Sequence, residues 1–239
     1  MNSLKQKKHR LEEGRFLAEG EKIAEEFLTS GLRADKIIAT GEWLKEQEQL
    51  WNRKEMTIVD VSEIEMKRIS GLIQPSRVLL VMEIPAMPIE EHIVKTSLNL
   101  VLEDISDPGN MGTIIRIADW FGIPYIFCSE NCVDVYNPKV VLASMGSISR
   151  VCTIEMKVSE LFERFPSLPA YATVLEGENL FTANLKREAF IVIGNESRGI
   201  SEALTPYIHK KVTIPKFGKA ESLNAAVAAG IVCAMFRRS

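Results

Sequence analysis

Five apolar runs, at positions 98–103, 125–128, 170–174, 190–194 and 211–214, are separated by stretches whose apolar residues recur at helical spacing. Strands that are apolar throughout, rather than at alternate positions, are buried on both faces, and helical spacers supply the cover. The pattern predicts an α/β fold with a mostly parallel sheet. In such sheets ligands bind beyond the carboxyl ends of the strands. Three strand ends lead into loops rich in glycine and small polar residues. They are Asp107-Pro108-Gly109-Asn110-Met111-Gly112 after the first run, Gly194-Asn195-Glu196-Ser197-Arg198-Gly199 after the fourth, and Ile214-Pro215 with Ser222-Leu223-Asn224 after the fifth. The expectation is that all three line one pocket.

The first 82 residues read as a smaller α/β unit. A charged helix starts near 5–13, and a second spans 19–29, with Ile23, Phe27 and Leu28 on its apolar side and Gly31 as its stop. Strands are expected at 35–40, 56–61 and 77–82, and Ser62 with Glu65 forms a capping box for a helix to about 70. Two prolines three apart in Glu83-Ile84-Pro85-Ala86-Met87-Pro88 block both helix and central strand and suit an extended spacer. The expected organisation is a domain at 1–82, a linker at 83–97 and a second domain at 98–239. The last helix, 221–236, is rich in Ala and Val, which implies close packing within the fold or against a second subunit.

The chain has 239 residues and a formal net charge of −3. That balance excludes a protein that coats nucleic acid through bulk positive charge, so RNA or DNA binding needs a local patch. Lys5, Lys7, Lys8, His9, Arg10 and Arg15 form one candidate, with Glu12, Glu13 and Glu19 interspersed, and a solvated charge run is the alternative reading. Cys128, Cys132, Cys152 and Cys233 are scattered, with no His pair near the closest two, and read as packed reduced thiols rather than zinc ligands. No apolar run follows the basic start, and none later is long enough to cross a bilayer, so the expectation is a cytoplasmic protein.

Several polar residues in the loops have both a structural and a chemical reading. Asn110 stands where its side chain would cap a helix running to about 121 and ending at Gly122. Arg116 lies in that helix among Ile114, Ile115 and Ile117, and a guanidinium buried there needs a carboxylate or a phosphate. Gly194 and Gly199 let the backbone around Glu196 turn sharply or approach a ligand. Ser222 and Asn224 precede the last helix, as caps or as polar groups of the pocket.

Taken in order, Asn110-x-Gly112-x-Ile114-x-Arg116, Gly194-x-Glu196-x-x-Gly199 and Ile214-Pro215 with Ser222-Leu223-Asn224 resemble the three motifs of the SpoU (TrmH-like) 2′-O-ribose RNA methyltransferases of the SPOUT superfamily. The resemblance covers 98–239. Lys8-His9-Arg10, Gly14-Arg15-Phe16-Leu17 and Glu19-Gly20 resemble the opening of the small L30e-like RNA-binding domain that precedes the catalytic domain in many members. What this implies is a C-terminal domain tied in a trefoil knot, a homodimer, S-adenosyl-L-methionine as cofactor, no metal, no membrane, and structured RNA as substrate, ribosomal RNA ahead of transfer RNA. By the same likeness Thr173, Gly194, Ile214, Ser222 and Leu223 contact the cofactor, and Asn110, Arg116, Glu196, Ser222 and Asn224 form the catalytic set. Lys7, Lys8, Arg10 and Arg15 are the residues expected to bind RNA. A guanidinium stays protonated in proteins, so Arg116 reads as a phosphate clamp that offsets charge developing on the 2′ oxygen rather than as a literal base. The stretch 143–150 departs from the family pattern, because Met145 intrudes into a loop of small residues.

Three other functions compete. A transfer-RNA 2′-O-methyltransferase shares the same motifs. An RNA-binding relative without activity is opposed by the presence of the whole polar set, and a Rossmann-type nucleotide enzyme by the lack of Gly-x-Gly-x-x-Gly after any strand.

Overall fold

The computed structural model describes residues 3–52 and 55–238. Met1, Asn2 and Ser239, at the outer ends of the two expected domains, lie outside them. The chain divides into two compact units that do not follow chain order. One holds the described residues up to Ala86 together with Asp134–Arg150, and the other holds Met87–Val133 and the described residues from Val151 onward.

The first unit is built on α1 (Lys7–Glu13), β1 (Arg15–Glu19), α2 (Glu21–Thr29), β2 (Ala34–Ala39), α3 (Gly41–Glu46), α4 (Glu48–Trp51), β3 (Thr57–Asp60), α5 (Glu63–Ile69) and β4 (Val78–Glu83). Its sheet runs β1-β4-β2-β3, antiparallel except for the β2–β3 pair. The capping box forms as its spacing predicts: the Ser62 hydroxyl accepts from Glu65 N, and the Glu65 carboxylate accepts from Ser62 N at 2.9 Å. Strand β1 is a departure from expectation. Residues 15–19 have no long apolar run, yet pairing with β4 makes them a strand with Phe16, Leu17 and Ala18 buried. The second helix consequently starts at Glu21 rather than 19.

Segment Asp134–Arg150 belongs to this unit for identifiable reasons. Arg10, 2% exposed, donates Nε to Asp134 at 2.8 Å and Nη1 to the Leu4 carbonyl at 2.8 Å. The Phe16 ring lies 4.8 Å from that of Tyr136, and Arg150 pairs with Glu26 at 2.6 Å. Arg10, expected on an RNA-facing surface, is therefore an interior anchor whose charge is spent on Asp134. Within the segment, α8 (Pro138–Ser144) ends on Met145, which takes φ 51° in the left-handed region that glycine usually occupies.

The second unit contains α6 (Glu91–Lys95), β5 (Leu98–Leu102), α7 (Pro108–Trp120), β6 (Tyr125–Cys128), β7 (Cys152–Glu155), α9 (Val158–Arg164), β8 (Ala170–Asn179), β9 (Ala189–Ile193), β10 (Lys210–Thr213) and α10 (Ala225–Arg238). Its six strands are all parallel, in the order β10-β8-β9-β5-β6-β7. The five expected strands are present. The sixth, β7, is a short, partly exposed edge strand with no apolar run to announce it. Phe127, Phe162, Phe165 and Phe190 meet edge-on or tilted in the core, each burial contributing about 1.5–3 kcal/mol.

Helices α7 and α10 pack together, and Arg237 ties them by donating Nε to the Phe121 carbonyl at 2.7 Å and Nη2 to the Gly122 carbonyl at 2.8 Å. A cation on those free carbonyls satisfies the end of α7. Along β8 and β10 the register jumps. Lys211 is opposite Ala172, but Val212 is opposite Glu178, so the five residues 173–177 bulge out between the two paired stretches.

Candidate active site

Three strand ends of the second unit carry the site. After β5 the chain turns through Asp104 at φ 57° and enters α7, whose cap is Asp107: its carboxylate accepts from Asn110 N at 2.7 Å. Asn110 was expected to cap this helix and does not, because α7 begins at Pro108 and Asp107 already holds the cap position. The Asn110 side chain is thereby free for long-range bonds. Its Nδ2 donates to Glu196 Oε1 at 2.7 Å, and its Oδ1 accepts from Asn224 Nδ2 at 2.8 Å.

One residue from each motif thus joins a polar chain running Asn224 to Asn110 to Glu196, with the carboxylate as final acceptor. Asn224 also caps α10, its Oδ1 accepting from Ala226 N at 2.9 Å and Val227 N at 3.3 Å. The last helix starts at Ala225, not at 221 as periodicity suggested, and the residues before it are loop.

The loop carrying Glu196 is braced from below by two carboxylates absent from the sequence-derived site. Glu103 accepts from Ser201 N at 2.9 Å and from its hydroxyl at 2.5 Å. Asp104 accepts from Arg198 at 3.1 Å through its side chain and from Asn195 Nδ2 at 2.9 Å through its carbonyl. The signal was present, since two acids directly after an apolar strand must find donors. Backbone bonds between Asn195 and Gly199, at 3.0 and 2.8 Å, close the turn. At Gly194 a Cβ would lie 2.4 Å from the Gly199 backbone, so only glycine allows this turn to fold back on the strand.

The proposed cofactor residues gather around the same strand ends. Thr173 stands at the start of the 173–177 bulge, its Oγ1 shielded from solvent and, among the described residues, without a hydrogen-bond partner. The Thr213 hydroxyl donates to the Leu175 carbonyl at 3.0 Å, and a Cβ on Gly177 would come within 2.8 Å of the Lys211 backbone, so the bulge and β10 cross in close contact. Ile214 and Gly194 are half-buried, Leu223 is 48% exposed and Ser222 is exposed. A buried hydroxyl unpartnered among the described residues, a glycine turn at a strand end and apolar side chains on the loop after β10 suit a ligand with polar ends and a flat heterocycle.

Arg116 is exposed rather than buried among isoleucines, and among the described residues its guanidinium has no hydrogen bond or ion pair. Ile114 and Ile115 are fully buried, while Gly109, Thr113, Arg116 and Trp120 form the outward stripe of α7, with Trp120 84% exposed. Arg116 follows Asn110 by six residues, so the two project about 120° apart around the helix. Among the described residues no hydrogen bond joins them. In the first unit, Lys8 is exposed and lies 3.9 Å from Glu12, and Arg15 pairs with Asp35 at 3.2 Å. Lys7 is half-buried.

Residues 97–234 match the SpoU rRNA Methylase family and residues 1–80 the MRM3-like substrate binding domain. The chain is 27% identical to the 23S rRNA (guanosine(2553)-2′-O)-methyltransferase RlmP of Bacillus subtilis (strain 168), over 95% of this chain and 90% of that protein. A solved structure of a putative RNA methyltransferase of the TrmH family from Porphyromonas gingivalis superposes with a TM-score of 0.88 at 37% identity, covering 99% of this chain and 94% of the other. The SpoU methyltransferase AviRb from Streptomyces viridochromogenes, solved in complex with AdoMet, superposes at 0.87 with 25% identity, covering 98% and 94%. With its catalytic-domain match spanning more than half of its length, the chain belongs to the SpoU rRNA methylase family.

Proposed function

We propose that this chain transfers a methyl group from S-adenosyl-L-methionine to a ribose 2′-OH of structured RNA, with ribosomal RNA as the substrate. The observation that carries the reading is the Asn224–Asn110–Glu196 chain, which draws three distant motifs together, while Thr173, with a buried hydroxyl unpartnered among the described residues, lies opposite Ile193, the last residue of the strand that leads into the Glu196 loop. The cofactor, when bound, supplies an electrophilic methyl on a sulfonium, which needs no metal to be reactive. Thr173 and Gly194 would meet its polar parts, with Ile214, Leu223 and Ser222 beside the adenosine.

The residues of this chain then have the acceptor to manage. As the 2′ oxygen takes the methyl, the donor would be left as the neutral thioether S-adenosyl-L-homocysteine, the O–H proton passes to an oxygen of the adjoining RNA phosphate, and negative charge develops on the 2′ oxygen in the meantime. Arg116, always protonated, holds the neighbouring phosphate and stabilises that charge, while Asn110, Glu196 and Asn224 keep the loops in the geometry the transfer requires.

A homodimer fits this reading. Asn110 and Arg116 point to different sides of α7, so a site using both is completed by a second copy. Trp120, exposed at the end of α7, and Val227, exposed on the α10 packed against it, are apolar side chains that such a copy would cover. The crossing of the 173–177 bulge with β10 suits a chain threaded through its own loop, the trefoil knot of the superfamily. RNA binding is assigned to 1–82, with Lys7, Lys8 and Arg15 as its candidates, a linker to 83–97 and methyl transfer to 98–239, a reading supported by the substrate-binding match over residues 1–80 and the methylase match over 97–234. Four free cysteines suit the reducing cytoplasm in which ribosomes are modified.

The direct test uses tritiated S-adenosyl-L-methionine with ribosomal RNA from cells lacking this gene. The proposal expects label in RNA that survives as an alkali-resistant dinucleotide, the mark of a 2′-O-methyl. Label on a base, or on transfer RNA in place of ribosomal RNA, contradicts it.

A further inference from the structure

The segment from Ile214 to Asn224 carries more than the residues assigned to the cofactor. It is a loop tethered at both ends to the site: Thr213, the β10 residue just before it, bonds Leu175, and Asn224 at its end bonds Asn110. Between the tethers stands Phe217, 91% exposed, with Lys216 and Lys219 exposed on either side. A phenylalanine this open forfeits the free energy its burial would contribute, about 1.5–3 kcal/mol, and a lone apolar side chain needs no explanation by itself. Its setting does. An aromatic ring between two cations, on a loop fastened beside a nucleotide-modifying site, has the composition that grips unpaired nucleotides, stacking on a base while the cations take the flanking phosphates.

We propose that Phe217 is a stacking platform for an unpaired base of the RNA substrate, adjacent to the target nucleotide, and that Lys216 and Lys219 hold the phosphates on either side of that base. This rests on the reading of the chain as an RNA methyltransferase and adds to it the form of RNA accepted: a strand locally open at the target, not a continuous duplex. Phe217 is a positioning residue. It binds substrate and takes no part in the transfer. Charge complementarity with a polyanion favours RNA over a second copy of this chain as the occupant, because a protein interface centred on Phe217 would have to desolvate both lysines.

The test separates stacking from simple apolar contact. In the tritium assay, Phe217→Ala is expected to raise KM for RNA about 5- to 100-fold while leaving kcat and the Kd for S-adenosyl-L-methionine unchanged. Phe217→Leu keeps apolar area without a π face and should behave like the alanine variant, whereas Phe217→Tyr should behave like wild type. Lys216→Ala and Lys219→Ala should each flatten the dependence of log KM on log salt. An unchanged KM in Phe217→Ala, leucine performing as well as phenylalanine, or a change in dimer dissociation in place of KM overturns the proposal. A second arm does not depend on turnover. The tryptophan of Phe217→Trp should be quenched by single-stranded polyuridylate beyond the quenching of wild-type protein, and no added quenching also overturns it. If wild type fails to methylate any RNA while this quenching is seen, the methyltransferase reading falls and the RNA-stacking site stands.

Discussion

Asn224 donates its side-chain amide to Asn110 at 2.8 Å across 114 residues of sequence, and by doing so ties the start of α10 to the start of α7. Both amides are spoken for: the first also caps its own helix, and the second passes the chain on to Glu196.

Asn110→Ala removes both bonds at once. Because the group is partly exposed, global stability should fall by only about 1 kcal/mol, whereas kcat/KM should fall at least tenfold as the two loops lose their common tether. Asn224→Ala should cost more stability, about 1–2 kcal/mol, since a helix cap goes with it. A double-mutant cycle in urea should give a coupling between the two of about 0.5 kcal/mol or more, and strict additivity contradicts a direct bond.

Arg116 offers a cleaner separation of stability from activity. It is exposed and makes no hydrogen bond or ion pair among the described residues, so Arg116→Ala and Arg116→Lys should unfold within about 0.5 kcal/mol of wild type. Turnover should fall about 100-fold or more in both, with unchanged affinity for S-adenosyl-L-methionine by calorimetry. Normal turnover in the lysine variant contradicts the phosphate-clamp role, because an ammonium lacks the planar fork.

Gly194→Ala places a methyl 2.4 Å from the Gly199 backbone. The turn must open, at a cost of about 1–3 kcal/mol, and cofactor affinity should drop at least tenfold by calorimetry. An alanine variant that binds the cofactor as tightly as wild type rules out this turn as a wall of the pocket.

Arg10 is a stability determinant. Arg10→Ala strands the Asp134 carboxylate, whose side chain is 11% exposed, and should lower unfolding free energy by about 3–5 kcal/mol in urea titrations. Lys8→Ala, by contrast, should unfold like wild type while weakening RNA binding at low salt.

Stability should also depend on the thiols. The Cys132 thiol is lowered to about 7, chiefly by a hydrogen bond from Cys128 and further by the Ser129 hydroxyl. A depressed thiol stabilises the fold above its unfolded value, near 8.5, and loses that contribution as pH falls through about 7. Burial pushes Cys152 up to about 11 and Cys233 up to about 12, so each holds its proton in the fold while the unfolded chain releases it. Unfolding free energy should therefore rise from pH 7 to about 8.5 and decline above it. Cys132→Ala should remove the rise, and Cys233→Ala should weaken the decline.

The parallel sheet was legible because its central strands are apolar along their whole length, and so was the Ser62–Glu65 cap, which is a matter of local spacing. Strands β1 and β7 were not, since each owes its conformation to a distant neighbour rather than to its own pattern. The same distinction runs through the site. Asn110, Glu196 and Asn224 could be picked out as polar residues at strand ends, but that they bond in series, and that Asp107 rather than Asn110 caps α7, depended on helix phase and loop path. Arg10 illustrates the limit of reading charge from composition: a basic run predicts a surface patch, and only the position of Asp134 reveals that one of its members is interior.

Ribose-methylation mapping of total RNA from cells with and without this gene tests the central claim most directly. The account predicts that one 2′-O-methyl mark in ribosomal RNA disappears with the gene and returns with the wild-type chain, but not with Arg116→Ala. Identical ribose-methylation profiles in the two strains would contradict it.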